Sequence, residues 1–163
     1  AATGAKVIAL DVSAARLEVA SSYGAGAAID VRGRDGKETV KEVRAAAERL
    51  GAPKHCWKIF EASGTRAGQE TAFSLLGFGA VVAIVGFTMD KLEVRLSNLM
   101  AFDGAAFGNW GCDPELYPEV LEWLAAGRIR IRPFVERHPL AAINDVFDAA
   151  HHGRLLKRAV LVP

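Results

Sequence analysis

Cysteine is scarce in this chain. Only Cys56 and Cys112 occur among 163 residues, and they form no C-x-x-C pair. That excludes a disulfide framework or a zinc ribbon, and it fits reduced thiols in a cytoplasmic setting. A dominant charge sign is also missing. The net charge of +1 gives no reason to expect nucleic acid or membrane partners. No apolar run approaches the ~18 residues that a transmembrane helix requires. Internal repeats and low-complexity tracts are absent. What is present is the composition of a globular protein, 51% hydrophobic and 24% charged, enough for one domain or one and a fraction.

The stretch that organises the rest is residues 5–11, Ala-Lys-Val-Ile-Ala-Leu-Asp. Apolar on both faces and bounded by Gly4 and Ser13, it reads as a fully buried parallel strand. An acid at the carboxyl end of such a strand lies where open α/β sheets bind ligands, and Asp11 can accept hydrogen bonds from a ribose there. Asp after a strand is equally ordinary helix-cap chemistry. A dinucleotide site needs a strand, a glycine-rich turn and a helix about 20 residues before its acid. Only ten residues precede Asp11, and they hold no G-x-G-x-x-G. Residues 1–4 read instead as a last helical turn closed by a C′ glycine. The expectation is a chain that begins inside a fold and belongs to a longer polypeptide.

Helices and strands then alternate. Ser13 caps a helix to Tyr23, and residues 27–30 form a second strand after Gly24 and Gly26. Residues 32–37 read as a polar loop. Residues 38–50 form a helix with Val40, Val43, Ala47 and Leu50 on one face, stopped by Gly51 and Pro53. Residues 57–61 are a third strand, 67–76 a helix, and 80–86 an apolar strand. This alternation predicts βαβ units and a parallel sheet. Residues 92–96 are a half-exposed strand or an extended loop, with Ser97 capping a short helix to Met100, and residues 104–108 are one more strand. Asp113 and Pro114 open a helix carrying Leu116, Val120, Leu121 and Leu124. The alternation Arg128-Ile129-Arg130-Ile131-Arg132 fits a strand with one wet face. Pro139 opens a last helix, with Leu140, Ile143, Val146, Phe147 and Ala150 inward, and residues 159–162 close the chain as a strand.

These residues carry a resemblance. The order V-I-A-L-D, an arginine five residues on, R-L-E and G-A-x-x-x-x-D resembles the coenzyme half of the medium-chain dehydrogenase/reductases. Phe60-Glu61-Ala62-Ser63-Gly64-Thr65 is similar to that family's F-E-x-x-G turn, and Val85-Gly86-Phe87 to its V-G-x turn beside the nicotinamide. Pro139-Leu140, Ile143-Asn144 and Phe147-Asp148 resemble its C-terminal helix, and Lys157-Arg158-Ala159-Val160-Leu161 its last strand. The likeness spans the whole chain. It implies a Rossmann-type, doubly wound parallel α/β sheet lacking its first strand and glycine-rich loop. C-terminal helices and strands would return to a GroES-like catalytic domain absent from this stretch. Residues 1–107 would be the partial dinucleotide-binding domain and 108–163 the segment packed on the catalytic domain. In strand order 3-2-1-4-5-6, the missing first strand would leave a slot between the strands ending at Asp11 and Glu61.

The resemblance implies hydride transfer from a secondary alcohol to NAD. Zinc would be a cofactor of the full-length enzyme, with catalytic and zinc-binding residues in the absent N-terminal half. Coenzyme-binding residues would be Asp11, Arg16, Ala62, Ser63, Val85, Gly86, Phe87, Phe107 and Arg158. Residues 86–91, 94–103 and 108–112 look closest to a branch that oxidises a cyclic hydroxy-acyl-CoA in anaerobic aromatic degradation, implying a small acyl-CoA substrate. Residues 101–110 resemble the edge strand through which members pair, implying a homo-oligomer, a dimer or tetramer.

Each assignment has a plain counterpart. Arg16 is otherwise a solvated helix arginine, Arg158 a surface charge with Lys157 as its competitor, and Phe107 a core aromatic. His151-His152 fits a favourable helix-end dipole contact. His55, Cys56 and Cys112 lack partners at metal-ligand spacing, so no metal is expected on this chain. Trp57, Trp110 and Trp123 read as packing residues. Two rival classes share some features: a methyltransferase, which also holds a ribose with an acid, and a dinucleotide-fold subunit kept only for assembly.

Overall fold

The computed structural model describes residues 3–163, so residues 1 and 2 of the expected opening helical turn lie outside the described residues. Gly4 takes the left-handed φ of +77° that such a closing turn needs. The chain divides into two compact units, Thr3–Cys112 and Asp113–Pro163.

The first unit runs β1 (Ile8–Asp11), α1 (Ala14–Ser22), β2 (Ala27–Asp30), α2 (Gly36–Arg49), β3 (Lys58–Glu61), α3 (Arg66–Ser74), β4 (Val81–Ile84), α4 (Ser97–Ala101) and β5 (Ala105–Gly108). All its strand pairs are parallel: β1 with β2, β3 with β4, and β4 with β5. The α/β order and parallel pairing are those of a Rossmann-type domain. Among the described residues the sheet is open between β1 and β3, giving one group of two strands and one of three.

Both groups share one core on the α2 and α3 face. Ile29, Val43, Ala46 and Leu75 are buried there, with Ile8 and Leu10 of β1 and Ile59 of β3 packed against them. A neighbouring cluster buries Ala72, Leu76, Ala80 and Val82. Val82 is fully buried, as a β-branched residue in a central strand should be.

Helix starts follow local chemistry. Ser13 caps α1, accepting from Arg16 N–H. Asp35 caps α2, and a capping box with Glu38 lets that helix begin at Gly36, inside the stretch expected to be a loop. The α2 face also differs from the expected one, because Thr39 is buried with Val43, Ala46 and Ala47. Its hydroxyl donates to Asp35 O at 2.9 Å, which removes the penalty for burying it.

Two further expectations are corrected, and one open choice is settled. Residue positions 8–11 are half-buried, not fully buried, because among the described residues β1 pairs with β2 alone. Of the two alternatives for residues 92–96, strand or extended loop, the structure has the loop. Ser97 lies inside α4, whose N-cap position is Leu96 with no side-chain cap bond.

The second unit contains a 3-10 turn at Pro114–Leu116, α5 (Tyr117–Ala125), β6 (Val135–Pro139), α6 (Ile143–His151) and β7 (Arg158–Val162). β6 and β7 are parallel and joined through α6. Asp113 accepts from Glu115 N–H and starts the first turn. Residues 128–132 are not the expected strand. Gly127 adopts φ +70°, Arg128 N–H donates back to Trp123 O, and the Arg128 guanidinium stacks 4.2 Å from the Trp123 ring centroid. The alternating arginines therefore close α5, and a 3-10 turn at Arg132–Phe134 leads into the strand. Pro139 ends β6 and does not lie in α6, which a 3-10 turn precedes.

Candidate coenzyme site at the strand ends

Three strands of the first unit end in an acid, and each acid makes the same local bond. Asp11 accepts from Ser13 N–H at 2.8 Å, Asp30 from Arg32 N–H at 2.9 Å, and Glu61 from Ser63 N–H at 2.8 Å. Bonds of this Asx-turn type bend the chain off the sheet into the following segment. The second carboxylate oxygens differ. Asp11 Oδ2 faces Arg16 Nη1 at 3.9 Å, in a half-open setting. Asp30 is gripped by the Arg32 guanidinium at 2.9 and 2.5 Å, which holds its carboxyl well below the ordinary 3.8, at about 2. Glu61 is 3% exposed, and its Oε2 has no hydrogen-bond partner among the described residues.

The exits of β3 and β4 touch. Glu61, Ile84 and Gly108 lie in register across β3, β4 and β5, so Ala62-Ser63 and Val85-Gly86-Phe87 leave the sheet side by side. Gly64 has φ +63°, and a Cβ there would meet Phe87 O at 2.7 Å. A Cβ on Gly86 would come within 2.6 Å of Gly64 Cα. Glycine is required at both positions because two backbones cross. Thr65 then caps α3, accepting from Gly68 N–H.

Ala62, Ser63, Val85 and Phe87 are exposed. Phe107 is level with Ala83 and Phe60. Ile59 and Val82 point into the α3 core, so these three share the opposite face. Phe60 and Phe107 are exposed there, so Phe107 is not the core aromatic of the plainer reading. Of the nine expected residues, the fold brings Ala62, Ser63, Val85, Gly86, Phe87 and Phe107 to the carboxyl edge of one three-stranded group. Asp11 and Arg16 meet at the end of β1. Arg158 belongs to the second unit, exposed at the start of β7 opposite Val135. Glu61 was not among the expected site residues. Its only sequence signal was the F-E-x-x-G pattern itself.

Among the described residues, no group of three or more His, Cys, Asp or Glu side chains is placed to hold a metal ion. These residues do not fit a zinc centre. They do fit a nucleotide: an open carboxylate ends β1, and a cradle that side chains would fill lies beyond β3 and β4. No helix among the described residues is long and apolar enough to cross a membrane.

Residues 1–126 match the zinc-binding dehydrogenase family, and the chain belongs to it. Known members share about a quarter of its sequence. An alcohol dehydrogenase of Geobacillus stearothermophilus is 26% identical over 98% of this chain and 44% of its own length. Mouse sorbitol dehydrogenase is 28% identical over 94% of this chain and 42% of its own. The crystal structure of the Aeropyrum pernix alcohol dehydrogenase superposes with a TM-score of 0.81 at 26% identity, covering 98% of this chain and 43% of that one. The chain therefore spans less than half the length of the relatives it matches.

Proposed function

We propose that the protein is an NAD-dependent alcohol dehydrogenase of the zinc-type medium-chain class, and that this chain is its coenzyme-holding part. The observation that carries the reading is that the carboxyl ends of the parallel strands of one α/β unit hold both an open carboxylate and a glycine-crossed pair of turns. A structural neighbour at 19% identity, described as a short chain alcohol dehydrogenase of Escherichia coli, is complexed with NADH, which supports the choice of nicotinamide.

When bound, a nicotinamide coenzyme supplies the hydride acceptor. Asp11 holds the adenosine ribose by accepting its hydroxyls, with Arg16 over the same end. Ala62, Ser63, Val85, Gly86, Phe87 and Phe107 present backbone groups around the nicotinamide end, and the family resemblance gives Arg158 a phosphate role. The open edges of β1 and β3 would take one further parallel strand. Zinc and the proton relay belong to residues outside this chain.

The substrate proposed is a cyclic hydroxy-acyl-CoA, 6-hydroxycyclohex-1-ene-1-carbonyl-CoA, oxidised to its 6-oxo product. The sequence likeness of residues 86–91, 94–103 and 108–112 supports it. The setting is cytoplasmic, and the intact protein is a dimer or tetramer. β5 supports assembly, because among the described residues it pairs with β4 alone and all four of its residues are exposed. Family membership replaces the methyltransferase reading.

The test is the full-length protein with NAD and a panel of secondary alcohols, followed at the absorbance of reduced nicotinamide. Turnover of the acyl-CoA alcohol is expected. Turnover of a polyol alone would move the substrate within the family. No turnover of any secondary alcohol by a folded protein would favour an assembly-only subunit.

A further inference from the structure

Glu61 is tied to both turns of the candidate site. Its main-chain oxygen accepts from Val85 N–H at 2.8 Å and Gly86 N–H at 2.9 Å, which fixes the exit of β4. Its carboxylate Oε1 accepts from Ser63 N–H at 2.8 Å, Ser63 Oγ at 2.5 Å and Gly64 N–H at 3.2 Å, which fixes the exit of β3. Ser63 Oγ passes the link on, 3.0 Å from Thr65 Oγ1 at the cap of α3. The other oxygen, Oε2, lies beneath the glycine crossing, 2.8 Å from where a Gly86 Cβ would be.

A carboxylate buried to 3% exposure is costly in a fold unless it is bonded. A hydrophobic residue at the end of a buried strand would fill the same space without that cost. What it could not do is orient Ser63 and Gly64 N–H relative to Val85 and Gly86. We infer that Glu61 is a positioning residue of the coenzyme site: it sets the spacing of the two backbone turns that receive the nicotinamide end, without touching the coenzyme. This rests on the NAD reading above. A site that loses 1 Å of alignment in its backbone groups loses affinity chiefly where those groups act. The adenosine end, served by Asp11 on a separate strand pair, should not feel the change.

The experiment compares NADH with ADP-ribose, which lacks the nicotinamide, by calorimetric binding to the full-length protein. Glu61→Ala should weaken NADH by about tenfold or more while ADP-ribose stays within about twofold. Glu61→Gln should restore most NADH affinity, because its amide oxygen can still accept from Ser63 and Gly64 N–H. Ser63→Ala, which removes only the hydroxyl, keeps the test decisive if Glu61→Ala does not fold. It should weaken NADH by about threefold and leave ADP-ribose unchanged. Equal losses for the two ligands, or no loss for either, would overturn the positioning role and leave the NAD reading intact. An unmutated protein that binds ADP-ribose but gains nothing from the nicotinamide, or binds neither, would overturn both.

Discussion

Asp11 and Glu61 occupy the same place in the pattern, the last residue of a parallel strand, and the fold gives them opposite surroundings. Each accepts the N–H two residues on. At β1 the second oxygen faces outward toward Arg16. At β3 it is sealed beneath two crossing turns. Among the described residues both strands have one strand neighbour, so the difference lies in the exits: the turn after β4 carries Gly86 over the Glu61 carboxylate and against Gly64. An acid at a strand end is thus a turn-former everywhere. Its environment decides whether it also meets ligand or supports those that do.

Stability should separate the two acids first. Glu61→Ala strips the side-chain acceptor from the part-buried Ser63 and Gly64 N–H groups and empties the space of a buried side chain, and should destabilise the full-length protein by about 2–4 kcal/mol in urea unfolding. Asp11→Ala exposes one N–H to water and should cost about 1 kcal/mol or less. Equal costs would break the comparison. A core reference is Leu76→Ala, 4% exposed in the second cluster, with an expected cost of about 2–5 kcal/mol.

A finer prediction concerns Arg16. Its side chain is more than half exposed and 3.9 Å from Asp11, so removing it should alter stability by less than about 1 kcal/mol. Coenzyme choice should respond instead. Arg16→Ala removes the positive charge that would offset a 2′-phosphate, and NADPH binding should weaken relative to NADH. Unchanged discrimination would remove Arg16 from the site.

The smallest effect is at Asp30, the third acid of the set. Its carboxyl titrates near 2 in the folded chain, against an ordinary 3.8, because Arg32 hydrogen-bonds the ionised form. The stabilisation from that pair is complete above about pH 4 and declines as pH falls toward 2. Asp30→Asn should flatten the acid limb of stability slightly in that window, and added salt should shrink the difference.

Much of this was legible in the sequence. Ser13 announced α1, and the small and β-branched residues 27–30 gave β2 without error. The F-E-x-x-G and V-G-x turns marked the strand ends that the fold brings together. What failed did so for tertiary or local polar reasons. Arg128 to Arg132 alternates like a strand, yet Trp123 and Gly127 draw those residues into a helix stop. The Asp35–Glu38 capping box claimed residues that composition assigned to a loop. Thr39 is buried because its hydroxyl finds a backbone acceptor within its own helix, which hydrophobic periodicity cannot show. Glu61 escaped notice as a site residue because nothing in the sequence reveals that β4 would close over it.

The central claim is that Asp11 faces the adenosine ribose of a dinucleotide while Glu61 works from behind. Two unit charges about 4 Å apart at an effective dielectric near 20 repel by about 4 kcal/mol. Asp11 should therefore reject a 2′-phosphate strongly, with Arg16 easing part of that. The direct measurement is kcat/KM of the full-length protein with NAD and with NADP, before and after Asp11→Gly. A preference for NAD of about a hundredfold or more that narrows or reverses in the variant is the predicted result. Equal efficiency with the two coenzymes in the unmutated protein would contradict it.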